Sequence, residues 1–290
     1  MKTVWKIVVR VVVGLLLTAY VAIALLNYSV VQSYLGTAAG RYLSREWGGT
    51  VKIGALHAMP WDHLILNNVL LVAPDNDTIF SAKRLRVHFK QFPYKEKHLT
   101  LDRIYLRQGY YHLAVTEDTV TGEPHTNLDY ILEYYHLDKH RELLDTFTVD
   151  VGTLTLDHVR YKMDLPEIPT MNFDVGVSIA HMEFVDIVSR VKDIHVVNDD
   201  VTCRLVKMTA EERSGFKATQ IEGNVHVGRN DITVTDFELR TPQTTVAAEV
   251  EMRYHDWMGE DYCDSVYHDI TLKEGTSVAL SDAAYWAPWL

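Results

Sequence analysis

The chain reads as mainly β: an N-terminal transmembrane helix followed by an elongated, curved antiparallel β-sheet with one or two short helices. Three observations predict this. From Val11 to Leu26 no charged residue occurs. From Thr50 onward apolar residues recur with a period of two between frequent turn signals, the pattern of strands with two different faces. An octet with apolar side chains at positions one, three, six and eight returns along the chain: LILNNVLL from Leu64, LTLDRIYL from Leu99, LTLDHVRY from Leu154, VSIAHMEF from Val177 and ITVTDFEL from Ile232.

The uncharged run covers about 24 Å as a helix. Extended back to Val4, with Lys6 and Arg10 snorkelling, it is long enough for a hydrocarbon core of about 30 Å. Lys2, Lys6 and Arg10 precede it, which by the positive-inside rule leaves Met1 in the cytoplasm and Tyr28 onward outside. A cleaved signal peptide ending at Ala22-Ile23-Ala24 is the other reading. Residues 1–28 are thus expected to form the start and signal anchor, with single-pass inner-membrane localisation and the bulk of the chain exported.

Residues 29–49, VVQSYLGTAAGRYLSREWGG and its preceding serine, carry Val31, Leu35, Ala38, Ala39, Tyr42 and Leu43 at helical spacing, and Gly48-Gly49 supplies a stop. This amphipathic helix can rest on a bilayer or plug one end of the sheet. The sheet domain then spans 50–290. Its strands are marked by Val51, Ile53 and Ala55, by Leu64 and Leu66, by Leu85, Val87 and Phe89, and by Leu99 and Leu101. Turns are signalled at APDND from Ala73, QFPYKEK from Gln91, TGEP from Thr121, NDD from Asn198, ERSG from Glu211 and GRND from Gly228. Such spacing implies an antiparallel meander. One interruption near 126–144 is helical in pattern, with Leu128, Ile131, Leu132 and Tyr135 behind Thr126 or Asn127 as cap. Beyond it strands are expected to run to the end.

In the octet, positions one and three face one side of a sheet, and six and eight would face the other in a regular strand. A bulge inserts one residue, bends the strand and restores the facing; a tight turn at the same point is the alternative. The middle pairs are Asn67-Asn68, Asp102-Arg103, Asp157-His158, Ala180-His181 and Thr235-Asp236. The copies start at irregular intervals, so they are no fixed-period solenoid.

The 290 residues are 47% hydrophobic and 23% charged, a folding composition. The formal charge is −11; setting aside the three leading cations leaves −14. So acidic a chain is a poor match for nucleic-acid phosphates, and no nucleic-acid partner is expected. Of the two cysteines, Cys203 lies on the apolar side of an alternating strand as a buried free thiol, with a bridge to Cys263 as the alternative. No C-x-x-C, G-x-S-x-G, P-loop, H-E-x-x-H or G-x-G-x-x-G occurs. The S-x-x-K matches at Ser189 and Ser214 lack companion motifs. Glu133, His136 and His140 can share one helix face as metal ligands or as a solvated helix end. Glu260, Asp261 and Asp264 read as an exposed loop, and Asn27-Tyr28-Ser29 and Asn76-Asp77-Thr78 match the glycan acceptor pattern by chance. No catalytic centre, metal or cofactor is expected.

The order of features resembles the N-terminal part of the AsmA-like superfamily, and within it the TamB-like subunits of the translocation and assembly module. The resemblance rests on Val51, Ile53 and Gly54; on Leu64, Leu66, Val69 and Leu71; on Asp77, Thr78, Ile79, Ala82, Leu85 and Val87; and on Ile104, Leu106 and Gly109, with a departure at Gln108. It is good over 11–113, weaker over 146–252, and returns at LSDAAYWAPWL, which is similar to an internal segment of such chains. The resemblance implies a sheet rolled into an open, taco-like groove that holds phospholipid acyl chains and carries them between inner and outer membranes in envelope biogenesis. It also implies an outer-membrane barrel partner, met through a C-terminal domain absent here, so a chain truncated at its C-terminus is expected. The lining residues would be Leu64, Leu66, Val69, Leu99, Leu101, Ile104, Leu154, Leu156, Val159, Ile232, Val234 and Phe237. A membrane-anchored β-sandwich scaffold with a closed core demands the same side chains.

Overall fold

The computed structural model describes residues 13–14, 17–18, 28–59, 62–91, 98–117, 124–127, 148–165, 176–198, 200–254 and 266–287. Helix α1 spans Ser29–Trp47 and ends on Gly48, whose φ of 78° terminates it in the left-handed region. The strands are β1 (Thr50–Met59), β2 (His63–Val72), β3 (Thr78–Gln91), β4 (His98–Glu117), β5 (Pro124–Thr126), β6 (Thr148–Asp164), β7 (Glu183–Val197), β8 (Asp200–Glu212), β9 (Lys217–Val227), β10 (Asp231–Arg240), β11 (Thr245–Arg253) and β12 (Tyr267–Leu272). A 3-10 turn at Ile179–His181 precedes β7, and helix α2 (Leu280–Trp286) follows β12.

All strands but β5 form one continuous sheet in the order β1-β2-β3-β4-β6-β7-β8-β9-β10-β11-β12, with β5 paired to the end of β4. Every pairing is antiparallel except β4 with β6, where the meander expectation fails. The long connection from Glu117 to Thr148 brings the chain back to the starting end of β4, so β6 runs in the same direction; a hairpin cannot do this.

Two expectations about architecture are corrected. The sheet is open and uncurled, not rolled into a trough. A bulge curls a sheet when one strand carries an extra residue that its neighbour lacks. Across β1 to β6 several neighbours slip together, so much of that mismatch cancels. Second, among the described residues no helix is long and apolar enough to cross a membrane. The transmembrane segment, the signal anchor and the single-pass inner-membrane localisation are therefore not supported. Of the expected anchor, residues 13–14, 17–18 and 28 are described, the first four of them helical.

Helix α1 is also used differently from its apolar pattern. Its Gly36 and Gly40 are buried against the β1 backbone: a Cβ would meet the Ile53 carbonyl oxygen at 2.7 Å in the first and that of Val51 at 2.7 Å in the second. One turn on, Ser44 Oγ accepts from the Val51 N–H at 2.8 Å, and its one hydroxyl proton is within reach of the Gly40 carbonyl at 2.7 Å and the Val51 carbonyl at 3.2 Å. The small residues at i, i+4 and i+8 let the helix cover the edge of β1, whose backbone groups would otherwise be open to another chain. Tyr34 and Tyr42 point outward, 73% and 65% exposed.

At the far end, Leu280–Trp286 form α2, where a strand is expected. Its Tyr285 and Trp286 meet Phe216 edge-on, at 5.9 and 5.1 Å between ring centroids, over a cluster of Val177, Phe216 and Ala218. The helical insert near 126–144 lies outside the described residues beyond its first two positions, where Thr126 belongs to β5 and the buried Asn127 to a turn.

Candidate functional site

The octets acquire a geometry from the strand registers. Val87 and Phe89 are two apart on β3 and share a face, and their partners are Ile104 and Leu101. Those two therefore share a face although three residues apart, because β4 carries an extra residue at Asp102-Arg103. The same argument through Ile187 and Ser189 joins Val159 to Leu156 across a bulge at Asp157-His158. Through Ala248 and Val250 it joins Phe237 to Val234 across one at Thr235-Asp236. At Asn67-Asn68 the registers to β1 and β3 stay continuous, so there is no two-against-one bulge; Asn68 instead takes φ 51° and its neighbours slip with it. At Ala180-His181 the octet forms the 3-10 turn, so the expected bulge is absent there.

Left-handed residues mark the slips: Asn68 on β2, Gln108 on β4 and His158 on β6, with Asp193 on β7 and Asp236 on β10. The apolar residues on either side stay on one face. Leu64, Val87, Ile104 and Leu154 form one register row, and Leu66, Leu85, Leu106 and Leu156 the next. Val69 shares its face with Leu71, which leads through Phe80 and Tyr111 to Tyr161. Tyr161, Leu106 and Leu156 pack on the buried trio Val159, Ile187 and Ala210. Leu156 continues through Ser189, Met208 and Ile221 to Leu239, which aligns with Phe237, Val234 and Ile232. Leu99, two residues from Leu101, completes the set, so all the sequence-predicted lining residues lie on one face of one sheet.

Leu101 and Val159 are buried, at 6% and 5% exposure, while Leu64, Leu66, Ile104, Leu154 and Leu156 are only half-buried. Among the described residues no second sheet packs on this face, as a sandwich would require.

The opposite face is polar. Arg84 and Arg107 are direct partners there; Arg84 Nε donates to Asn67 at 3.1 Å, and Tyr105 donates its hydroxyl proton to Asp157. Histidine–carboxylate pairs recur along it. Asp150 accepts from His195 at 2.6 Å and His98 at 2.5 Å, and these two bonds hold its carboxyl below the ordinary range. His226 pairs with Asp200 at 2.9 Å and Asp231 at 3.3 Å; chiefly the Asp200 bond raises its imidazole.

His112 is buried, and its ring nitrogens face Asp77 and Asp164, each at 2.9 Å. Asn127 donates to Asp77 at 2.9 Å and to the His112 carbonyl at 2.8 Å. This network ties the ends of β3, β4, β5 and β6 together. Near the opposite ends of β2 and β3, Asp62, His63 and His88 converge. Sequence reasoning missed both groups. Neither forms a local motif, since their members come from different strands and meet only through register.

Cys203 is a free thiol, half-buried and opposite Val225, not buried as expected; burial pushes its thiol up. The candidates Glu133, His136, His140, Glu260, Asp261, Asp264 and Cys263 lie outside the described residues. No known protein family, curated protein or solved structure matches this chain.

Proposed function

We propose that the protein binds the acyl chains of lipids along the apolar face of its sheet and acts as a lipid-carrying factor in envelope biogenesis. One observation carries this reading: register rows of half-buried leucine, isoleucine and valine run from strand to strand across a sheet face on which, among the described residues, no second sheet packs. A hydrocarbon chain laid along such rows gains about 25 cal/mol per Å² of apolar area removed from water. The polar face remains solvated, and a headgroup stays in water at the sheet's margin. The resemblance to the AsmA-like superfamily supports the same reading and extends it to carriage of phospholipid between membranes. An open, uncurled face calls for adsorption of the chain along a wall, without a surrounding trough.

The test is site-specific photo-crosslinking in the full chain, purified in mild detergent, followed by lipid extraction and mass spectrometry. Photoreactive residues at Leu66 and Leu156 sample the apolar face; those at Arg84 and Arg107 sample the polar one. Phospholipid adducts at the first pair alone are expected. Absence of adducts at Leu66 and Leu156 in protein with native circular dichroism refutes the reading.

A scaffold role is favoured by a different feature. Strand β12 is exposed along its whole length, pairs among the described residues only with β11 at the end of the sheet, and presents Tyr267, Ile270 and Leu272 at 54%, 59% and 59% exposure. Such an edge accepts an added strand from a partner. Crosslinks to polypeptide at Ile270, with none to lipid at Leu156, would select this role.

A further inference from the structure

The clearest constellation outside the apolar face lies where β2 begins and β3 ends. His63 and His88 are direct cross-strand partners, so their side chains leave the same face of the sheet, with Cβ atoms about 5 Å apart in such a pair. Asp62 precedes β2, and its carboxylate lies 2.7 Å from His63 Nδ1 and 3.9 Å from His88 Nδ1. One ligand atom from each of the three residues falls within 4.8 Å of the others.

The backbone holds this arrangement in place. The Asp62 N–H donates to the Met59 carbonyl at 2.9 Å, and the Asp62 carbonyl accepts from the Phe89 N–H at 2.9 Å. The aspartate is thus pinned between the β1–β2 turn and β3. A third imidazole, His57 on β1, stacks on His63 at 5.2 Å with planes 23° apart. Its Nδ1 is hydrogen-bonded to the Gln32 side-chain amide of α1 at 2.9 Å. The His63 ring is therefore packed on one side, while the carboxylate edge faces water: the Asp62 side chain is 63% exposed and that of His88 31%.

We propose that Asp62, His63 and His88 form a binding site for a divalent transition ion of the zinc class, with water completing the coordination. Two imidazoles and a carboxylate are borderline nitrogen and hard oxygen donors. That set suits Zn²⁺, Ni²⁺ or Cu²⁺ and not Ca²⁺ or Mg²⁺, which take oxygen ligands almost exclusively. Zinc–ligand distances near 2.0–2.2 Å bring the donor atoms of a tetrahedral site to about 3.3 Å from one another. His88 and Asp62 need close by less than an ångström to reach this, and His63 and Asp62 need open by about as much. The ion takes the place of the proton on His63 Nδ1 that faces Asp62, and the neutral imidazole then carries its one N–H on Nε2. His57, braced by Gln32, sets the tilt of the His63 ring as a positioning residue. Bound there, the ion clips the β1–β2 turn to β3 beside the edge covered by α1.

The full chain, stripped with chelator and purified in mild detergent, is titrated with ZnCl₂ by calorimetry, and with CoCl₂ by visible absorption. His63→Gln, His88→Gln and Asp62→Asn are compared with His226→Gln, which removes a different histidine–carboxylate pair on the same face. Expected are saturable binding to wild type and to His226→Gln, and affinity weakened at least about 10-fold in each of the three site variants. Cobalt should give the intense visible bands of a low-coordinate nitrogen and oxygen site, lost in His88→Gln. The proposal is overturned if wild type binds no zinc, or if natively folded His63→Gln and His88→Gln keep wild-type affinity. The latter result would assign the metal to other histidines.

Discussion

Gln108 and His158 stand side by side on the parallel strands β4 and β6, both in the left-handed region at φ 45° and 55°. The register pairs Arg107 with Asp157 and Tyr110 with Arg160 on either side of them. Two neighbouring strands thus make the same non-regular step at the same level, and the ladder between them continues in register. Left-handed backbone costs an L-residue about 1–2 kcal/mol, a cost that glycine escapes.

The first prediction follows from that backbone. His158→Gly should leave stability unchanged or slightly raised, because its exposed contact with Asp186 is worth little. His158→Val should destabilise by about 1–2 kcal/mol, since a β-branched residue is least tolerant of positive φ. Urea unfolding of the two variants beside wild type measures the difference; equal midpoints would contradict the assigned backbone.

Helix α1 should be held by the absence of two side chains. Gly36→Ala or Gly40→Ala drives a methyl into a β1 carbonyl at 2.7 Å, so the helix must lift or the strand must shift. A cost of about 1–3 kcal/mol is expected, as for other overpacked sites. Ser44→Ala removes the acceptor of the Val51 N–H at about 1 kcal/mol. Hydrogen exchange of the Val51 amide should accelerate in all three variants.

The His112 network predicts an acid limb. Burial pushes the Asp164 carboxyl up, but hydrogen bonds from Lys162, His181 and His112 outweigh this and hold it lowered to about 2. Its unfolded value is about 3.9. A lowered carboxylate contributes stability that is complete above the unfolded value and disappears as pH falls through the folded one. Asp164 should therefore contribute about 1–2 kcal/mol at neutral pH after solvent screening, lost between about pH 4 and 2. Denaturation midpoints of wild type and Asp164→Asn should differ at pH 6 and converge near pH 2; a constant gap would refute the assignment.

Acyl-chain binding predicts a length series. Each methylene laid on the apolar face adds about 0.8 kcal/mol, close to fourfold in affinity, while the chain remains in contact. Fluorescent fatty acids of increasing length should bind progressively tighter to wild type. Leu156→Asp should flatten the series, and Arg107→Ala on the opposite face should not. Length-independent binding would point to recognition of the charged end alone.

Much of this architecture was legible in the letters. Period-two alternation found the strands from Val51 to Phe89, and turn residues found the corners at Asn76 and Gly215. The one-residue slip in the octet located the extra residues at Asp102-Arg103, Asp157-His158 and Thr235-Asp236. The same reasoning misplaced the C-terminal helix, because Leu280–Trp286 is too short for helical period to outweigh the alternation before it. The apolar spacing of α1 did not single out Gly36, Gly40 and Ser44, which pack it against β1.

The sequence by itself determined which side chains share a face, because facing depends on alternation along one strand and on where that alternation slips. Only the tertiary structure decided that β6 runs parallel to β4, that the sheet stays open, and that His63 meets His88 while His112 lies between Asp77 and Asp164. These follow from register between strands distant in the chain. Register depends on the pairing of backbones and the length of connections, which no local pattern of side chains records.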